Sequence, residues 1–284
     1  MTTHKIDKAM KAMQQQAIKF QDLATAEECS ARPTYYHSDI ETILPGKVYY
    51  VSGRWHIKIF APLYHLGLTY IQRGMTILRA ENGELSLVNS IKLGEDGLKS
   101  LDKLGKVKNI VRIGSNHGGD DFFYSKRYPD ADYWALKGMV VPEDFEKQIN
   151  YMTESKLPFE GAKLLLLPET PFPEGILIVP WGPGVAVTCD AIQCNHMFAP
   201  HTSLLMSLFM KLGGFVGDGI FGPGMLDFAY KCWGKDPQKI LPPFLKKFLE
   251  EPWDILCPGH SFAFQNAKEA VHKTLTNQFD FKLS

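Results

Sequence analysis

Four apolar runs in this chain each stop at a residue able to bind a metal ion, and this arrangement limits the fold more than any other feature of the sequence. Val107 to Ile113 leads into Gly114-Ser115-Asn116-His117-Gly118-Gly119-Asp120-Asp121. Lys163 to Leu167 leads into Pro168-Glu169-Thr170-Pro171. Gly184 to Thr188 closes on Cys189-Asp190, and Trp253 to Cys257 closes on Pro258-Gly259-His260. Short runs of Val, Ile and Leu bounded by Gly and Pro read as buried strands. Loops at strand ends are where side chains from distant parts of a chain converge. Taken singly, an Asp after a strand is a turn former or a helix cap, and a lone His is structural or solvated. The order of the four is what points to a site.

The rest of the chain frames these runs. Asn82-Gly83 between Met75–Arg79 and Leu85–Asn89 is a hairpin signal. The pattern predicts a helix over 94–104 and another that follows the 116–121 turn and runs through Arg127. It predicts a largely helical segment over 198–249, broken at Gly213-Gly214, Gly222-Pro223-Gly224 and Pro242-Pro243, and a last helix over 264–276. Ile6, Ala9, Met10, Met13, Ala17, Phe20 and Leu23 mark an amphipathic helix over 5–28, which would pack on the domain or on a second subunit, with a membrane-surface helix as the alternative. Two β-rich halves, each followed by helices, predict an α/β fold of two mixed sheets packed face to face with helices outside. Residues 1–45 then form an N-terminal helix and loop, and 46–284 form the domain.

Composition narrows the function classes. Lys plus Arg and Asp plus Glu balance at 31 each, so no global basic field exists to attract nucleic acid or an anionic membrane. The five cysteines are odd in number and form no CxxC pair, which reads as mostly buried free thiols in a reducing compartment. Cys189 and Cys257 fall under the candidate site by strand alternation. The polar start, Met1 to Lys8, predicts no secretory leader, and no apolar run is long enough to span a membrane. A cytoplasmic location and a small-molecule substrate are the resulting expectations, while the helix over 5–28 and the helical segment after Asn195 each offer a surface for a homodimer without deciding the oligomeric state. Gly213 to Gly219 is glycine-rich but lacks the Lys-Ser/Thr of a phosphate loop.

In their order, the four strand-end motifs resemble those of the metallo-β-lactamase-like superfamily. That superfamily has a strand running into His-x-His-x-Asp-His, a Pro-Gly-His turn, a strand ending in Gly-Asp, and a final Pro-Gly-His. Pro258-Gly259-His260 matches the last closely, and Tyr128-Pro129-Asp130-Ala131 is similar to a segment of a branch known as a domain of unknown function. The resemblance covers about 45–265 and implies a four-layer αββα sandwich. It also implies a degenerate metal motif. With His117 as the first His, Asp121 falls on the motif's Asp, while Gly119 and Phe122 occupy the other His positions. A second register puts His117 on the final His and Asn116 on the Asp. Glu169 stands where the second motif has His. The resemblance therefore implies at best five ligands, His117, Asp121, Glu169, Asp190 and His260, for one zinc or iron ion and a weaker second, or for none. Asp121 and Glu169 are also the candidates for taking a proton from a nucleophilic water. His56, His65 and His196 are candidate substrate contacts. The implied activity is metal-dependent hydrolysis of an ester, lactone or thioester-like molecule. Non-haem iron redox chemistry on the same fold and a binding protein that has lost its metal are the alternatives.

Overall fold

The computed structural model describes residues 25–31, 33–57 and 61–281. Most of the expected N-terminal helix lies outside these residues. Its end falls in a short helix, α1 (Ala26–Ser30), whose N-cap Thr25 Oγ1 accepts the Glu28 N–H at 3.0 Å.

The first sheet holds β1 (Glu41–Leu44), β2 (Val48–His56), β3 (Tyr70–Arg79), β4 (Leu85–Val88), β5 (Val107–Val111), β6 (Asp132–Ala135) and β7 (Ile149–Tyr151), side by side in chain order. β1 to β4 pair antiparallel, and β4 to β7 pair parallel. α2 (Ala61–His65) lies between β2 and β3. The parallel half needs crossovers, which α3 (Glu95–Leu104) and α4 (Asp121–Arg127) supply. The Asn82-Gly83 turn joins β3 to β4 as expected, with Gly83 at φ 83°.

The second sheet runs β13-β10-β9-β8, from β8 (Lys163–Leu166), β9 (Gly175–Val179), β10 (Val185–Val187) and β13 (Ile255–Cys257). Strand alternation sends its residues to two sides. Leu164, Leu177, Val179, Val185 and Val187 join Ile77, Leu87, Ile110 and Tyr133 of the first sheet in one core. Leu165, Ile176, Ile178, Ala186 and Leu256 face the opposite way, toward α6 (Pro237–Glu250) and α7 (Lys268–Phe279). The fold is thus the four-layer α/β sandwich expected from sequence.

The segment over 198–249 departs from expectation. Between α5 (Leu204–Leu212) and a π-helical turn (Met225–Tyr230) lies β12 (Gly217–Phe221), which pairs antiparallel with β11 (Ile192–Asn195). Tertiary pairing turns a glycine-rich stretch into a strand. α6 is also unbroken at Pro242-Pro243. An interior proline costs a helix about 3 kcal/mol. Leu241, Phe244, Leu245, Phe248 and Leu249 are all buried along this helix, and their packing offsets that cost. The last helix starts later than expected, at Lys268.

Candidate metal centre

β10 and β13 are parallel neighbours with Val187 opposite Cys257. Asp190 and His260 each lie three residues past those partners, so the pairing delivers both to one edge. The Pro258–Ser261 turn is gripped by the first sheet. Tyr50 OH donates to the Pro258 carbonyl at 2.6 Å, Gly74 N–H to the Gly259 carbonyl at 2.9 Å, and Gln72 Nε2 to the Ser261 carbonyl at 2.8 Å. A Cβ on Gly74 would overlap the Tyr50 hydroxyl, so only glycine fits beneath this grip.

His117 arrives from the loop after β5. Arg112, fully buried, shapes that loop by donating to the carbonyls of Gly114, Ser115 and Val140. Gly114 is pressed against the Cys189 thiol, where a side chain would collide. Gly259 likewise leaves room for the His117 ring.

The result is a buried cluster. His260 Nε2 lies 2.8 Å from Asp190 Oδ1 and 3.2 Å from His117 Nε2, and His117 Nε2 lies 3.4 Å from Asp190 Oδ1. Cys189 Sγ is within 4.8 Å of the His117 and Asp190 donor atoms. His260 Nδ1 sits 3.1 Å from the Gln72 carbonyl, which can only accept, so Nδ1 carries the proton. In a neutral ring Nε2 then presents a lone pair, aimed at a carboxylate oxygen and at a second imidazole. Burial, then the Arg73 charge, pushes His117 down to about 3, so its ring is neutral. Burial pushes the Asp190 carboxyl up, but the two imidazoles outweigh it and hold the group well below the usual carboxylate range. Its Oδ2 is buried with no hydrogen-bond partner among the described residues.

Two imidazole nitrogens and a carboxylate oxygen thus converge in a buried pocket, a donor set that suits a cation. Metal–ligand bonds of about 2.0–2.1 Å in a tetrahedral site put donor atoms about 3.3 Å apart. The 3.2 and 3.4 Å separations from His117 Nε2 match that value, and the 2.8 Å between His260 Nε2 and Asp190 Oδ1 is shorter.

The other sequence candidates sit elsewhere. Asp121 is fully buried but faces the sheet. Ser90 Oγ donates to its Oδ1 and Tyr133 OH to its Oδ2 at 3.1 Å. Burial raises its pKa, against the lowering charge of Arg112. Glu169 is on the surface, its side chain 61% exposed and paired with Lys235 Nζ at 3.1 Å. His56 stacks on Tyr35 at 4.4 Å, and burial, then Arg54, lowers its pKa. His65 ends α2 against Tyr64. His196 is exposed and paired with Asp218 Oδ1 at 2.6 Å.

Sequence reasoning missed Glu174, buried at the start of β9. Its Oε1 accepts the Ala191 N–H and so pins the turn carrying Asp190. Burial, then the adjacent Asp190 charge, raises its pKa well above the usual range. Nothing local marks it, because its role depends on a turn in another strand. Arg73 is buried too, its guanidinium 4.0 Å over the Trp55 ring and its Nη2 donating to the Asn116 carbonyl at 2.8 Å.

The fold and this edge site define the class: the chain has the metallo-β-lactamase-like fold. No protein-family model matches the sequence, and no curated protein sequence matches it. Among solved structures, the chain is similar to the metallo-β-lactamase FIM-1 from Pseudomonas aeruginosa in its mono-zinc form (TM-score 0.53, 8% identity, 88% of this chain and 99% of that one). It is similar to a fragment of a diflavin flavoprotein from Nostoc sp. PCC 7120 (TM-score 0.53, 10% identity, 88% and 97%). A flavo-di-iron protein from Thermotoga maritima also matches (TM-score 0.51, 11% identity), and there the chain covers 62% of the longer protein. Among the described residues no helix is long and apolar enough to cross a membrane.

Proposed function

We propose that His117, Asp190 and His260 hold one metal ion and that the protein is a metal-dependent hydrolase of an ester, lactone or thioester-like small molecule. The observation that carries this reading is the buried convergence of two imidazole Nε2 atoms on Asp190 Oδ1. Likeness in fold to a β-lactamase solved with zinc supports it. An ion held there supplies Lewis acidity toward a carbonyl oxygen and lowers the pKa of water toward neutrality.

The chain's own residues do the rest. The Gln72 carbonyl fixes the His260 tautomer so that Nε2 faces the site. Asp190 Oδ2, buried and without a hydrogen-bond partner among the described residues, is the acceptor for a proton leaving an attacking water. Arg73 sets a positive charge near His117 that favours negative charge developing on a substrate oxygen. Asp121 serves to hold the β5 loop, and Glu169 to shape the rim with Lys235.

A specific observation favours a second reading. Two histidines and one carboxylate are also the donor set of non-haem iron oxygenases, and flavo-di-iron proteins share the fold. Elemental mass spectrometry on untagged protein purified without chelator tests both. Near-stoichiometric zinc, lost in His117→Ala and His260→Ala, supports the hydrolase, and iron with visible absorbance supports the redox enzyme. No metal after incubation with zinc, iron and manganese overturns both and leaves a binding protein on this fold.

A further inference from the structure

A helix that is apolar all round is normally buried on every side, and α5 is not. Met206, Ser207 and Met210 face the domain. Leu204 (71% exposed), Leu205 (41%), Leu208 (53%), Phe209 (48%) and Leu212 (82%) face outward. At 3.6 residues per turn these five fill one arc of about 140°. Lys211 is the only charged residue of the helix. Phe198, 65% exposed, is held beside it by its backbone N–H, which donates to Ser207 Oγ at 3.2 Å. Among the described residues these side chains leave on the order of 600 Å² of apolar surface bare, at the upper limit for a monomer and approaching one partner's share of a standard interface, about 800 Å².

We infer that this face is the interface between two copies of the chain. Leu204, Leu208 and Leu212 form an i, i+4, i+8 ridge symmetric about Leu208. In an antiparallel pair of α5 helices, Leu208 lies against Leu208 of the second copy and Leu204 against its Leu212. That is the ridge-into-groove packing common between helices, and it is the self-complementarity a two-fold contact requires. No charged side chain lies on the arc, so none repels its own image across the axis. A helix built to lie on a lipid surface would flank its apolar face with several Lys or Arg. The interface backs onto the site: the Ser203 N–H donates to the Tyr70 carbonyl at 3.0 Å, and the His201 N–H to Gln72 Oε1 at 3.4 Å, on the strand whose Gln72 carbonyl orients His260.

The test uses the full chain. Sedimentation equilibrium should find a dimer at micromolar concentration. Leu208→Glu, at an exposed position that should leave the far-UV circular dichroism unchanged, should weaken it at least about a hundredfold by setting two carboxylates against each other. With the exposed Cys232 changed to Ser, Leu208→Cys should oxidise to a covalent dimer on a non-reducing gel, while Lys99→Cys on α3 should not. A wild type that stays monomeric, a dimer indifferent to Leu208→Glu, or a Leu208→Cys protein that does not cross-link overturns the inference. So does a monomer that binds phosphatidylcholine vesicles through Leu208.

Discussion

The turn after β10 carries Asp190 into the interior, whereas the turn after β8 carries Glu169 to the surface. Both follow apolar strands of one sheet. β10 lies between β13 and β9, and a parallel partner brings a second turn alongside it. β8 is an edge strand, with β9 on one side only, and unlike the other edge strand, β13, its turn is not gripped by the first sheet among the described residues. Its turn reaches water, where Lys235 satisfies the carboxylate. A carboxylate at a strand end therefore becomes a candidate ligand when the strand's neighbours enclose it with other donors, and a solvated charge when they do not.

Substitutions at these turns sharpen the contrast, and the largest effect belongs to the enclosed one. His260→Ala and Asp190→Ala should abolish stoichiometric metal binding, read by elemental analysis, while Glu169→Ala should retain it. Equal loss in all three would place Glu169 in the site and break the distinction.

Stability comes next. Asp121→Ala removes the buried carboxylate that Ser90, Tyr133 and the Arg112 charge face and, by leaving the buried guanidinium without it, should cost about 3–5 kcal/mol in urea unfolding. Glu169→Ala, at the surface, should change stability by less than about 0.5 kcal/mol.

A smaller effect is pH dependence of the metal-free protein. His117 falls from 6.5 in the unfolded chain to about 3 in the fold, with burial the main cause and Arg73 the next. The unfolded state therefore binds more protons between these values. The His117 contribution is fully present above pH 6.5 and is lost as pH falls toward about 3. Asp121 and Glu174 shift the opposite way, so the comparison to make is wild type against His117→Ala. The variant should lose less stability between about pH 7.5 and about pH 5. An identical slope would mean that His117 stays solvated.

The mildest contrast is thiol reactivity. Cys232 is exposed and should label at once in native protein. Cys194 and Cys257, each pushed up to about 12 chiefly by burial, should label only on unfolding.

Much of the fold was legible because alternation and turn residues are local. The hairpin at Asn82-Gly83, helices α3 and α4, and the four strands ahead of the candidate ligands follow from spacing alone. The site was legible in part. His117, Asp190 and His260 stood out as strand-end donors, but so did Asp121 and Glu169, and the sequence had no means of separating them. Arg112 explains Asp121: a buried guanidinium beside that loop favours a carboxylate turned inward.

By itself, then, the sequence determined the four strands that run into the candidate ligands, the hairpin at Asn82-Gly83, and that possible ligands sit at those strand ends, since these are properties of neighbouring residues. Only the tertiary structure decided which of those ends meet. His117 and His260 are 143 positions apart, and His260 and Asp190 are 70 apart. Their contact depends on the parallel pairing of β10 with β13 and on the first sheet's grip on the Pro258–Ser261 turn. The same holds for β12, for the unbroken α6 and for Glu174 beneath Asp190. Each is stabilised by packing or hydrogen bonds to residues far away in the chain, which a local pattern does not encode.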